Sequence, residues 1–161
     1  MMALPSLDDL EGAWRTVAVP MTPYLAASGW QAPLEPAAAA RWLLAEKRLT
    51  FLHQCGDTCV IASVRRSRSS NMGQMVVLSR VGAEFESIGE VLDHMRYVAF
   101  SEIGIRRLEL TLLETWVGAV EAACDLGFHV EGRFPEACFA GGRYRDLLLL
   151  GMLAREWGPR T

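Results

Sequence analysis

No uninterrupted apolar run in these 161 residues approaches the roughly 18 that a membrane-spanning helix requires. The longest, Leu147–Leu153, contains Gly151 and reads as a buried strand. The first ten residues carry Asp8 and Asp9 and lack the basic and apolar segments of a secretory leader, so a reducing, cytoplasmic setting is expected. Cysteine is sparse: Cys55, Cys59, Cys124 and Cys138 fall at irregular spacing, which excludes a disulfide framework and implies free thiols. No internal repeat is present, and no low-complexity stretch exceeds Ala37–Ala40. Positive charge is not in excess either. The net charge of −3 supplies no overall pull toward nucleic acid, which is therefore not an expected partner.

What is present is a globular composition, 51% hydrophobic and 22% charged, on a length that suits one domain over residues 1–161. Punctuation by proline and glycine divides the chain. Ala13–Val19 is a short strand candidate ended by Pro20, and Met21–Pro36 reads as loop or broken helix. Pro36 then opens a helix through four alanines to Lys47. Thr50–Gln54 and Thr58–Val64 form a hairpin around Gly56-Asp57, Arg65–Gly73 a polar loop, and Gln74–Ser79 a buried central strand. Ile88, Val91, Leu92, Met95, Ala99 and Ile103 recur at helical spacing, and Gly104 stops that helix. Arg106–Leu113 alternates as a strand, Thr115–Leu126 is a helix closed by Gly127, and Phe128–Phe134 and Arg143–Leu153 are two further strands. The order β-α-β-β-β-α-β-α-β-β, mixed strands around a few helices, implies one layered α/β or α+β domain.

Three stretches in that order carry a resemblance. Val98–Gly104 running into Ile105–Leu110 looks like a helix-then-strand cofactor motif, Asp125–Gly132 like a "lGF..eG" corner, and Gly142–Asp146 with Leu147–Trp157 like a closing strand. Together they cover about Gln74–Trp157, and the chain resembles the GNAT N-acetyltransferases, its C-terminal half being most similar to the branch that acetylates protein N-termini. The resemblance implies a GNAT-like α/β (α+β) fold, a mixed twisted sheet of about six to seven strands flanked by helices on both sides, with acetyl-CoA or another acyl-CoA as cofactor, no metal, and an amine of a peptide or small molecule as acceptor. It implies that Val76, Val77, Leu78 and Ser79 offer backbone to the pantetheine arm, while Gly82 and Gly89 carry what remains of phosphate binding at a helix N-terminus. It also makes Glu109, with Glu114 at the far end of the strand, a candidate water-linked base for the amine, and Tyr144 a candidate acid for the thiolate.

The chain departs from the family pattern at identifiable positions. The Q/R-x-x-G-x-G/A loop is replaced by Ala83-Glu84-Phe85-Glu86-Ser87-Ile88, which lacks both glycines and adds two carboxylates. Ser87 and Glu90 have the spacing of a capping box that would satisfy the helix's own donors. The usual asparagine of the next helix falls on Trp116 and the usual tyrosine on Ala123. Two functions follow: an acyl-CoA N-acyltransferase with an atypical phosphate loop, or a non-catalytic scaffold that docks to protein partners in a homo- or hetero-oligomer.

The remaining constellations have plainer readings. His53, Cys55 and Cys59 offer three ligands where a zinc site uses four, and read as hairpin side chains. Arg65–Ser70 could contact the phosphate of nucleic acid or of the CoA adenosine, though a solvated loop accounts for it. His94 faces away from the apolar stripe as a surface residue, and His129 packs at the Gly127 corner. Trp30, Trp42, Trp116 and Trp157 read as core or interface anchors.

Overall fold

Leu10, Ala13, Trp14 and Val17 recur at i, i+3, i+4 and i+7, and in the computed structural model they form the buried face of helix α1, Leu7–Ala27. The structure describes residues 4–27, 35–45, 48–55, 58–67, 71–79 and 85–158. Helix α1 replaces the strand expected at Ala13–Val19, and of the loop or broken helix expected over Met21–Pro36, the part as far as Ala27 is helical. The missed signal was a reciprocal cap. The Ser6 hydroxyl accepts from the Asp9 N–H at 3.2 Å, while the Asp9 carboxylate accepts from the Ser6 N–H at 3.1 Å. Helix α2, Pro36–Leu43, begins at the expected proline, with the Glu35 carboxylate accepting from the N–H groups of Ala37 and Ala38.

Six strands follow: β1 (Arg48–Cys55), β2 (Thr58–Arg66), β3 (Met72–Ser79), β4 (Arg107–Leu113), β5 (His129–Ala140) and β6 (Arg143–Leu153). They form one sheet in the order β1-β2-β3-β4-β6-β5, antiparallel throughout except where β3 and β4 run parallel. The parallel pair is joined by α3 (Phe85–Tyr97) and a π-helical turn, Val98–Glu102, in which the Ile103 N–H reaches the Val98 carbonyl. Because α3 starts at Phe85, Ser87 lies inside its first turn rather than at the cap, and the expected Ser87–Glu90 box is not the helix's start. Helix α4, Val117–Asp125, links β4 to β5.

Side-chain alternation sends the strands' apolar residues to two cores, one on each face of the sheet. Met75, Val77, Leu108, Leu110 and Leu112 pack with Val91, Leu92 and Met95 of α3 and with Ala119 and Ala123 of α4. Ile61, Val76, Leu78, Leu113 and Leu147 pack on the opposite face with α1 and α2. His94 is not a free surface side chain, for its ring stands edge-on to Phe51 with centroids 4.7 Å apart. His53 and Cys59 fall on opposite faces of the sheet, His53 alternating with Phe51 and Cys59 joining the α1 side. No group of three or more His, Cys, Asp or Glu residues able to hold a metal occurs among the described residues. Nor is any described helix long and apolar enough to cross a membrane.

Two details of the sheet yield predictions. At Gly73, in the paired part of β3, an added Cβ would stand 2.6 Å from Ile105 Cδ1 and 3.2 Å from Leu108 Cδ1. Gly73→Ala therefore overpacks the junction and should lower unfolding free energy by about 1–3 kcal/mol in a urea titration. In β5 the register slips between Phe134 and Cys138, with Glu136 at φ 50°. Asp146 holds that bulge, accepting from the Glu136 N–H at 2.8 Å and from Arg133 Nε at 2.6 Å. These bonds, the Glu136 N–H first and Arg133 second, keep the Asp146 carboxyl below its ordinary value. A depressed carboxyl stabilises the fold above about pH 4 and loses that contribution as the pH falls through its folded-state value. Amide exchange at Glu136, corrected for intrinsic rate, should accelerate on acidification in the wild type and be fast and pH-insensitive in Asp146→Ala, which removes the acceptor.

Candidate functional site

The parallel ladder between β3 and β4 is short. It runs from Met72 opposite Arg107 to Met75 opposite Leu110 and stops. Beyond that point β3 keeps its pairing with β2 as far as Ser79, and β4 keeps its pairing with β6 as far as Leu113, but the two no longer pair with each other. The strands thus part into a V that opens toward their C-terminal ends. Neighbouring bonds show which backbone groups face the opening. The Ser67 N–H donates to the Met72 carbonyl at 2.8 Å, so alternation turns the backbone of Val76 and Leu78 toward β2 and that of Val77 and Ser79 toward the V. The Glu114 N–H donates to the Asp146 carbonyl at 3.0 Å, so even-numbered residues of β4 face β6 while Thr111 and Leu113 face the V. At the vertex, the Thr111 carbonyl has lost the Val77 N–H that a continued ladder would supply.

That carbonyl is capped from outside the sheet. Tyr24 of α1, 1% exposed, donates its hydroxyl to the Thr111 carbonyl oxygen. Its ring lies against Trp116, with centroids 5.4 Å apart. Trp116 is half-buried, precedes α4 without a side-chain cap, and among the described residues is the one that packs against both cores. It therefore sits where the two faces communicate through the parted strands. Ala123 is fully buried in the core shared by α3 and α4 and brings no polar group to the V.

The structure separates the residues expected to act. Val76–Ser79 form the arm of the V, with Val77 and Ser79 presenting backbone to it. Glu109 lies on the paired part of β4, opposite Gln74 and Gly151, and accepts from Arg107 Nε at 3.0 Å. Tyr144 lies beyond the mouth, three residues past the Leu147 that pairs with Leu113; it is 65% exposed and stacks edge-on with Phe139. Seven strand residues from Tyr144 to Gly151 put Glu109 and Tyr144 about 23 Å apart along the sheet. Glu114 is closer to the opening, one residue after β4, in an ion pair with Arg133 at 2.5 Å that continues to Asp146. Gly89 faces α4, where an added Cβ would meet Ala122 at 3.8 Å. Gly82, Ala83 and Glu84 lie outside the described residues, and Glu86 is described only as backbone. Arg65 and Arg66 lie at the opposite end of the sheet from the mouth; Arg68–Ser70 fall outside the described residues. Tyr24 and its bond to Thr111 were missed because the segment carrying it reads as a proline-broken loop.

No family model and no curated protein sequence matches the chain. Solved structures do match. The dodecameric spermidine N-acetyltransferase of Vibrio cholerae superposes with a TM-score of 0.75 at 12% identity, covering 100% of this chain and 97% of its own. The ribosomal-protein-S5-alanine acetyltransferase of Vibrio fischeri gives 0.66 at 14%, covering 98% and 94%. A candidate phosphinothricin N-acetyltransferase gives 0.68 at 18%, covering 95% and 97%. These identities speak to architecture alone, and together with the six-stranded mixed sheet and its helices on both faces they establish that the chain has the GNAT N-acetyltransferase fold.

Proposed function

We propose that the protein is an acyl-CoA-dependent N-acyltransferase whose acyl site is the V between β3 and β4. The observation that carries this reading is the pair of strand edges left without ladder partners inside the sheet, since buried backbone polar groups require partners and an amide-bearing chain laid in the V would supply them. Acyl-CoA brings an activated thioester and a pantetheine arm with two amides, which suits an edge presenting Val77 and Ser79. The first turn of α3, with Gly82 just before it, would serve the phosphate end, whereas Gly89 lies a turn into the helix against Ala122. The family's tyrosine is absent at Ala123, and Tyr144 is carried out to the mouth, so Tyr144 and Phe139 are assigned to contact with the incoming amine. Each carboxylate is paired with an arginine, Glu109 with Arg107 and Glu114 with Arg133, and Glu114 has the better placement for a base because it borders the opening. The neighbours named for spermidine and for an alanine of ribosomal protein S5 make an aliphatic or peptide amine the first acceptors to assay.

A melting curve with acetyl-CoA and longer acyl-CoAs tests the reading. A ligand at 100 times its dissociation constant should add about 2.7 kcal/mol of stability. Val77→Pro removes the N–H that faces the V and is not part of the β2 ladder, so it should abolish the shift, while Val77→Ala should retain it. Absence of any shift with millimolar acyl-CoAs on the wild-type protein would overturn the proposal.

Tyr24 has a separate expected effect. In Tyr24→Phe the Thr111 carbonyl is left buried without its donor, which should cost about 1–3 kcal/mol by urea denaturation. Because the same corner borders the V, the substitution should also change the affinity for acyl-CoA, measured by calorimetry.

A further inference from the structure

The end of the sheet remote from the V gathers arginines. Arg48 pairs in register with Arg65, Arg66 with Gly73, Met72 with Arg107 and Arg107 with Leu153, while Arg106 and Arg155 flank the same edge. Among the described residues six arginines thus border one edge of a chain whose net charge is −3. Between the start of β3, the start of β4 and the chain leaving β6 lies an open cavity of about 440 Å³, lined by Met72, Arg106, Arg107, Leu153, Ala154 and Arg155. Its walls are tied by backbone. The Arg106 N–H donates to the Asn71 carbonyl at 2.9 Å, and the Arg106 carbonyl accepts from the Ala154 N–H at 2.9 Å. The two segments that bear Arg106 and Arg155 are therefore held side by side.

The three guanidinium groups differ in what they already hold. Arg107 is spoken for by Glu109 and Glu131, and those carboxylates hold it well above the ordinary arginine value, Glu131 most strongly. The Glu156 carboxylate accepts from the Leu153 N–H at 2.8 Å. Arg106 and Arg155 are exposed and make no side-chain hydrogen bond or ion pair among the described residues. Two uncommitted guanidinium forks over a floor of Met72, Leu153 and Ala154 suit an anionic head on a small apolar body.

We propose that this cavity binds a small organic phosphate monoester, its phosphate held between Arg106 and Arg155 and its apolar part on Met72 and Leu153. A monoester carries about −1.5 to −2 charges near neutrality, which matches two arginines, and its oxygens match the planar fork bidentately. The volume falls within the roughly 300–1,000 Å³ of small-molecule sites. A polynucleotide is disfavoured by the net negative charge of the chain. The site is about 23 Å along β3 from Ser79, so it is separate from the acyl site and independent of the proposed activity.

The test is titration of the full chain with phenyl phosphate, inorganic phosphate and benzoate, followed by amide and arginine side-chain chemical shifts. Phenyl phosphate should move the Met72, Arg106 and Leu153 signals and bind more tightly than either inorganic phosphate or benzoate. Arg106→Ala and Arg155→Ala, at exposed positions that leave the fold intact by melting temperature, should each weaken it about tenfold or more. Arg106→Lys should retain part of the affinity. Shifts spread evenly over the surface, or affinity unchanged in both alanine variants, would overturn the proposal. So would a single-stranded RNA dodecamer that binds a hundredfold more tightly than phenyl phosphate, since that would mark a polyanion surface instead.

Discussion

The architecture turns on a ladder that stops early. Continued pairing of β3 with β4 past Met75 and Leu110 would give an ordinary closed sheet with no interior edge. Each strand instead keeps its outer partner, β2 or β6, so neither is free to fray, and the gap between them is held open by structure on both sides. Where the pairing persists it is tight, with Gly73 packed so closely on Ile105 and Leu108 that even a methyl group would force the Ile105 side chain to shift. Parting of the strands carries a cost of about 1–3 kcal/mol for each buried polar group left alone. Tyr24 offsets the first of those costs by reaching from α1 to the Thr111 carbonyl. The N-terminal helix is thus part of the device that makes the opening tolerable, and it does so from a segment with no strand to contribute.

Most of the sheet could be read from the sequence because its signals are local. The alternation of Leu108, Leu110 and Leu112, the helical stripe from Ile88 and the glycines at 104 and 127 each correspond to an observed strand, helix or stop. Pro20 suggests the end of a strand after Ala13–Val19, whereas Leu10, Ala13, Trp14 and Val17 form a helical face once Ser6 and Asp9 are seen as a cap, and the helix runs on through the proline. The Ser87–Glu90 spacing matched a capping box at the wrong place, since the helix had already begun at Phe85. Capping patterns are short and recur by chance, and only the position of the first helical turn decides between them.

The site was legible in part. Val76–Ser79 could be assigned to a central strand from their continuous apolar run, but which of the four present backbone to the opening depends on ladder parity, a property of two neighbouring strands together. Glu109 and Glu114 look equivalent as carboxylates near one strand. Register separates them: Glu109 sits in the closed half, held by Arg107, and Glu114 at the mouth, held by Arg133. Tyr24 and Thr111 are 87 positions apart, and no pattern in the sequence announces their contact.

Trp116 and Ala123 exchange polar atoms for bulk on one side of the V and for a methyl group on the other. The indole bridges the two cores and packs on Tyr24, so it stiffens the vertex at the position where the family pattern has an amide side chain. Among the described residues, the polar groups at the opening include its backbone, the Tyr24 hydroxyl and the Glu114 carboxylate near the mouth. An acyltransferase built this way must draw on electrostatics from main-chain dipoles fixed by the sheet rather than from side chains of α4, and fixed dipoles need no reorganisation when charge develops. The same parted edges that make the fold costly are then the groups best able to serve a reaction there, which is why the vertex between Val77 and Thr111, more than any single acidic or phenolic side chain, is the centre of the proposed chemistry.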